Sequence, residues 1–335
     1  MNLSKVLLLK LLRAVLFGEK LYASDFAEAD WKSIFQLADE QTVSALLLDG
    51  MSLLPSECIA ISLGDKLKRI AAMQRIEQIN RLHRKVIVKI DQALKSEGIP
   101  VVFMKGQTTA LRYPNPLHRT PGDIDFVVNP KDFKKTMEVL EKIGKVDHDL
   151  VHEHHGMAWV DGVTVEPHYK VHNYQCPSTD HAMQEMFASV FPSELSSADM
   201  DGYAVPVFPP TFESIFLVSH MVNHVYEEGL GLRQVIDYAM FLSSCADKID
   251  WLQHHEYLHQ MHMERAWRIF TCICVDYLGM SLPSQVESFS HQEKMWAEKM
   301  MADIMRVGNF GRGEYVFHHR GFKDAFNNYC WVAKR

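Results

Sequence analysis

The sequence predicts an α+β protein, with a small mixed β-sheet core between a helical N-terminal segment and a helical C-terminal domain. Three observations carry that reading. Residues 98–175 alternate short apolar runs with helix-period stretches, whereas 1–97 and 211–335 carry helical periodicity alone. Asp161-Gly162 lies between two strand-like runs, a strong hairpin signal. Pro177, Pro192, Pro209 and Pro210 mark 176–210 as connecting loops and as the domain boundary. At 335 residues the chain is long enough for two domains, each with its own core.

In the N-terminal segment Leu8, Leu11, Leu12 and Val15 fall at helical spacing. Lys5 and Val6-Leu7-Leu8-Leu9 begin like a signal peptide. Lys10 and Arg13 then interrupt the run, no small-residue cleavage site follows, and the stretch is too short to span a membrane. It reads as an amphipathic helix, with membrane-surface binding as the alternative. Asp30 is placed to cap a helix from Trp31 through Leu48. Asp65 is placed to cap a long one through Leu94, with an apolar stripe that includes Leu67, Ile70, Ile90 and Leu94. Lys68, Arg75, Arg81 and Lys85 lie opposite that stripe, as a solvated face or a basic face toward nucleotide or substrate.

The core opens after Gly98 and Pro100 with a short strand, Val101 to Met104, ending at Lys105-Gly106 where a helix can begin. A loop with three prolines leads to Gly122-Asp123-Ile124-Asp125 and the apolar run Phe126 to Val128. Alternate strand side chains share a face, so Asp123 and Asp125 point one way and Ile124 points into the core. Two carboxylates so placed repel each other, and a divalent cation removes that cost. A cation pair there can clamp the attacking and leaving oxygens of phosphoryl or nucleotidyl transfer. The same pair also reads as an acidic strand end beside a turn. Upstream, the strand, glycine turn and helix start together make a phosphate-facing geometry.

Asn129-Pro130 ends the second strand, and Phe133, Met137, Leu140 and Ile143 form a helical stripe that Gly144 closes. In the run Val163 to His168, Thr164, Glu166 and His168 share one face and Val163 and Val165 the other. Pro167 cannot donate to a ladder, so this strand is expected at a sheet edge or ending there. Beyond the boundary, Ile215, Phe216, Val218 and Met221 fit an apolar helix, and Gly229 to Gln234 make a turn and a helix start continuing to Asp237. Trp251 through Leu278 and Gln292 through Met305 read as further helices.

A net charge of −7 argues against a broad nucleic-acid surface and against stable duplex binding. Six scattered cysteines without a CxxC pair fit a reducing, cytoplasmic setting. His148, His152, His154, His155, His168 and His172 cluster without ligand spacing, and read as surface or hydrogen-bonding groups, with transition-metal binding as the alternative. His168 is the exception, placed on Glu166's face to orient that carboxylate. His220 and His224 have helical zinc spacing, but Met221 stands where a metallopeptidase needs Glu. Trp251, His254, His255 and His259 read as helix surface.

Lys105-Gly106 followed by Arg119-x-x-Gly122-Asp123-Ile124-Asp125 resembles the uncharacterised nucleotidyltransferase family of the DNA polymerase β-like superfamily. Glu166-Pro167-His168-Tyr169 resembles that family's acid-x-His-aromatic strand, and His220 and His224 ahead of Gly231-Leu232-Arg233-Gln234 resemble its histidine pair and turn. The resemblance spans most of the chain. It implies a nucleotidyltransferase core at 98–175 and a Mg²⁺-dependent, two-metal transfer of a nucleoside monophosphate from a nucleoside triphosphate, releasing pyrophosphate. By that resemblance Asp123 and Asp125 hold two Mg²⁺ ions, and Glu166 is the third carboxylate, which also takes the acceptor's proton. Lys105, Gly106 and Thr108 meet the triphosphate, Arg119 neutralises charge near the aspartates, and Arg233 lines the cleft with the two histidines. Gln107 stands where the superfamily usually has Ser, with Thr108 the nearest hydroxyl. The acceptor is left open between a small molecule, a protein and a tRNA. The alternatives are an inactive nucleotide-binding or regulatory module of the same fold and a toxin-like enzyme. Loss of either aspartate is expected to relieve repulsion and leave stability unchanged or higher.

Overall fold

The computed structural model describes residues 2–149, 155–172, 174, 176–226 and 229–312. Its first part is helical: α1 (Leu3–Phe17), α2 (Trp31–Glu40), α3 (Ser44–Ser52) and α4 (Leu63–Ser96). Asn2 accepts from the Lys5 amide to start α1, and Gly18 in the left-handed region ends it. Leu7, Leu8, Leu9, Leu11 and Leu12 are all buried. The apolar band is therefore wider than an amphipathic stripe, and α1 is a core helix packed on α2 and α3. Asp30 caps α2, but the helix stops at Glu40 and Thr42 turns at φ 54, so the stretch to Leu48 is two helices. Ser62 caps α4, with Asp65 in its first turn. The α4 stripe is buried only in its second half, through residues such as Val86, Ile87, Ile90 and Leu94, while Leu67 remains 58% exposed.

The chain then alternates: β1 (Val101–Met104), α5 (Gln107–Ala110), β2 (Ile124–Val128), α6 (Phe133–Ile143), β3 (Lys145–Asp147), β4 (Met157–Val160) and β5 (Val163–His168). The stretch expected as connecting loops instead forms α7 (Pro177–Val190) and the hairpin β6 (Ser196–Met200) and β7 (Tyr203–Val207). Pro177 is helix-compatible at the start of α7 because the first amides of a helix have no partner there. The seven strands form one sheet in the order β3-β4-β5-β2-β1-β7-β6. The β2–β5 and β1–β7 pairs are parallel and the others antiparallel, so the sheet is mixed.

Asp161 and Gly162 both adopt positive φ, 50° and 80°, which matches the twist of a tight hairpin and pairs Val160 with Val163. Strand β5 is interior, between β4 and β2, and ends at His168. Pro167 is tolerated there because it lies beyond the end of β4, where its carbonyl still accepts from the Gly156 amide at 2.9 Å. Gly144 closes α6 without a left-handed cap: a Cβ there would lie 2.2 Å from the Trp159 carbonyl oxygen.

The period of two divides the sheet. Val101, Phe103, Ile124, Phe126, Val128, Val163 and Val165 form one core with Ile87, Ile90 and Leu94 of α4 and Met137 and Leu140 of α6. Val102, Met104 and Val127, on the other face, join the helical core of the C-terminal part. That part comprises α8 (Pro210–Tyr226), α9 (Leu232–Cys245), α10 (Trp251–Gln260), α11 (Glu264–Asp276) and α12 (His291–Val307). His254 is not helix surface: it is fully buried, and its Nε2 lies 2.9 Å from Ser214 Oγ. Among the described residues no helix is long and apolar enough to cross a membrane.

Candidate active site

The chain leaves β1 through a strained turn. Lys105 and Gly106 both have positive φ, 41° and 57°, and Gly106 at ψ −116 is in a region that only glycine enters readily. Thr108 donates its hydroxyl to the Lys105 carbonyl at 2.9 Å, so this buried side chain braces the turn instead of facing the cleft. Gln107, in the position of the superfamily's usual Ser, donates to Asn80 Oδ1 at 2.6 Å. Asn80 in turn holds the Leu117 and Arg119 carbonyls. Gln107 thus ties the turn to α4 and to the loop that carries Arg119.

Parallel pairing sets Asp125 directly beside Glu166, and β-strand alternation aims both at the face away from the first core. The carboxylate oxygens of Asp123, Asp125 and Glu166 all lie within 4.8 Å of one another. Lys105 Nζ sits 3.0 Å from Asp125 Oδ1, and His168 Nε2 sits 3.1 Å from the same oxygen. His168 therefore meets Asp125 more closely than Glu166, at 3.9 Å. Burial alone would raise the Asp125 pKa, but Lys105 and His168 hold it well below the carboxylate range. Burial would lower that of Lys105, and Asp125, Asp123 and Glu166 together hold it above its ordinary value. Glu166 is pushed up, first by burial and then by Asp125 and Asp123.

The direct ion-pair partner of Arg119 is Asp237, while Asp123 adds to the charge it feels. Its Nε and Nη2 grip the two oxygens of Asp237 on α9 at 2.7 and 2.8 Å, and the Tyr113 hydroxyl donates to the same carboxylate at 2.7 Å. Arg233 is different: it is 8% exposed, its Nη1 donates to the Thr120 carbonyl at 3.2 Å, and among the described residues it has no carboxylate partner. Burial, reinforced by Arg119, lowers its pKa to about 10. His220 and His224 meet Nε2 to Nε2 at 3.1 Å, a contact that needs one donor and one acceptor. Burial and Lys105 keep both uncharged, His224 down to about 3.

These groups line a cleft of about 670 Å³ between the sheet's second face and helices α8 and α9. It brings together Lys105, Gly106, Arg119, Asp123, Asp125, Glu166 and Arg233. Sequence reasoning missed Asp237, His155 and Phe310, which also line it. Asp237 stands one helical turn after Arg233, a spacing that was available to the eye. His155 reaches the cleft only through strand pairing. Phe310, at φ 54, had no sequence signal; it sits edge-on to His224 and beneath the Arg233 guanidinium. His148 is exposed near Glu141, and His152 and His154 lie outside the described residues.

Residues 27–279 match the model of a family described as uncharacterised nucleotidyltransferase. No curated protein matches the chain. Among solved structures, the chain is similar to the antibiotic-resistance factor ANT(2'')-Ia at 13% identity and a TM-score of 0.37, over 54% of this chain and 97% of that one. It is also similar to an antigenic nucleotidyltransferase-like protein from Paracoccidioides brasiliensis at 15% identity and a TM-score of 0.35, over 55% and 91% of the two chains.

Proposed function

The chain belongs to the uncharacterised nucleotidyltransferase family, and we propose that its cleft transfers a nucleoside monophosphate from a nucleoside triphosphate to an acceptor, releasing pyrophosphate. The observation that carries this reading is the convergence of Asp123, Asp125 and Glu166 within 4.8 Å, beside the Lys105-Gly106 turn. Three carboxylates are a donor set that fits hard divalent cations, so these residues would hold two Mg²⁺ ions. Bound there, Mg²⁺ supplies charge neutralisation for the triphosphate and the leaving pyrophosphate.

The chain's own groups divide the remaining work. Lys105 and His168 keep Asp125 ionised and therefore ready to ligate at neutral pH. The Arg233 fork, with no carboxylate to satisfy among the described residues, receives phosphate oxygens. Gly106 lets the backbone approach them closely. Glu166, set beside Asp125 by strand pairing, is the carboxylate we assign to the acceptor side as base. The acceptor's oxygen or nitrogen bonds to the donor's α-phosphorus, the bond to the bridging oxygen of pyrophosphate breaks, and the acceptor's proton passes to Glu166. The acceptor is a small molecule, a protein or a tRNA, and the cytoplasm is the setting we assign.

Incubating the protein and Mg²⁺ with each of the four labelled triphosphates and candidate acceptors tests this. We expect pyrophosphate release and label transfer with at least one, and neither with Asp123→Asn. Retained triphosphate binding without release from any of them would identify an inactive binding module instead.

A further inference from the structure

We propose a further cation position in this cleft, beside the three-carboxylate one, held by His155, Glu166 and His168 and suited to a first-row transition-metal ion such as Mn²⁺, Co²⁺ or Zn²⁺. Strand geometry builds it. Glu166 and His168 are two apart on β5 and share a face, and His155 pairs directly with His168 in an antiparallel bridge. The three ligand atoms lie within 4.8 Å of one another. Both imidazole Nε2 atoms stand 3.9 Å from Glu166 Oε2, and His168 Nε2 takes up an ion by giving up its 3.1 Å contact with Asp125 Oδ1. Two donors can each reach one ion at about 2.1 Å only if they are less than about 4.2 Å apart, and these pairs satisfy that limit.

The chemistry of the donors selects the ion. Mg²⁺ prefers an all-oxygen shell, whereas two imidazoles and one carboxylate suit the later divalent ions. The histidines between His148 and His172 have no ligand spacing along the chain, and only sheet pairing turns two of them into a ligand set. The position adjoins the three-carboxylate one and shares Glu166 with it, because Asp125 and Glu166 are register partners. It therefore rests on and deepens the proposed transfer reading by adding an ion on the Glu166 side, yet binding is measurable without any transfer.

The test titrates metal-stripped, full-length protein with Co²⁺ and follows visible absorption. We expect one tight equivalent whose d–d band is abolished by equimolar Zn²⁺ and survives an equal concentration of Mg²⁺. His155→Ala, and the more conservative His155→Asn, should each weaken Co²⁺ binding about tenfold or more, as should His168→Ala. Asp123→Asn and the exposed-site control His148→Ala should keep the band. No band, a band unaffected by the His155 and His168 variants, or displacement by equal Mg²⁺ overturns the proposal. Mg²⁺-driven transfer without a cobalt band refutes this inference alone, and a band without transfer with any ion refutes the transfer reading alone.

Discussion

Asp125 is bound by its neighbours even before a cation arrives. Its side chain is 1% exposed, its charge is paired with Lys105, and His168 Nε2 lies 3.1 Å from the same oxygen. Expecting relief of repulsion from loss of either aspartate therefore fits only Asp123, which is half-buried and has no ion pair among the described residues. Asp125→Asn leaves the Lys105 cation without its partner and should cost about 3 kcal/mol in the metal-free protein, whereas Asp123→Asn should leave stability unchanged or slightly higher. Both should abolish turnover. Thermal unfolding without metal separates them, and equal shifts in Tm would contradict the account. Arg233 presents the converse case, a buried guanidinium with no carboxylate partner among the described residues. Arg233→Met should weaken triphosphate binding about tenfold or more while stability holds or rises, because no buried partner is orphaned. A large fall in Tm without ligand would make Arg233 structural.

At the scale of elements, what could be read in advance was local. The β4–β5 hairpin follows from Asp161-Gly162 and the flanking alternation, and the strand parity of Asp125 and Glu166 follows from the period of two. What could not be read depended on partners distant in the chain. Periodicity marks the α4 stripe along its length but cannot say that its packing partners stop short of Leu67 and Ile70. Of the prolines that looked like loop signals, Pro177 and Pro210 sit at the first turns of α7 and α8, where a missing amide costs nothing. Arg119 finds Asp237 118 positions away, beyond any spacing rule. The turn at 229–231 is a further case. A Cβ on Gly231 would lie 2.6 Å from Asn309 Cβ and 2.9 Å from its Cα, so this turn clasps the segment that carries Phe310 into the cleft. Gly231→Ala should destabilise by about 1–3 kcal/mol through overpacking and weaken nucleotide binding by displacing Phe310. Urea unfolding and a binding titration check both effects. An unchanged unfolding midpoint would mean that the segment yields freely.

For the whole molecule, acidity is a direct probe of the helical core. His254 is fully buried, and burial, aided by His255, pushes its pKa from 6.5 to about 3. Above pH 6.5 the histidine is neutral folded or unfolded; below it, only the unfolded chain takes up the proton. Its contribution to stability is therefore lost as pH falls from about 6.5 toward about 3. Between pH 7.5 and 5.0 the loss should be about 2 kcal/mol, and His254→Gln should lose correspondingly less over that interval. Identical pH dependence in urea unfolding of the two proteins would remove His254 from the account. The Tyr113–Asp237–Arg119 knot, in turn, joins the loop between β1 and β2 to α9, and so joins the two walls of the cleft. Separating those walls breaks a buried bidentate ion pair, at a cost of about 3–5 kcal/mol. A splayed form is then held by fewer than about one molecule in a hundred. Ligand capture is accordingly an encounter with a gap already at its working width. Stopped-flow binding should show a single phase whose rate rises linearly with triphosphate concentration, and Arg119→Met should introduce a plateau as a slow rearrangement becomes limiting.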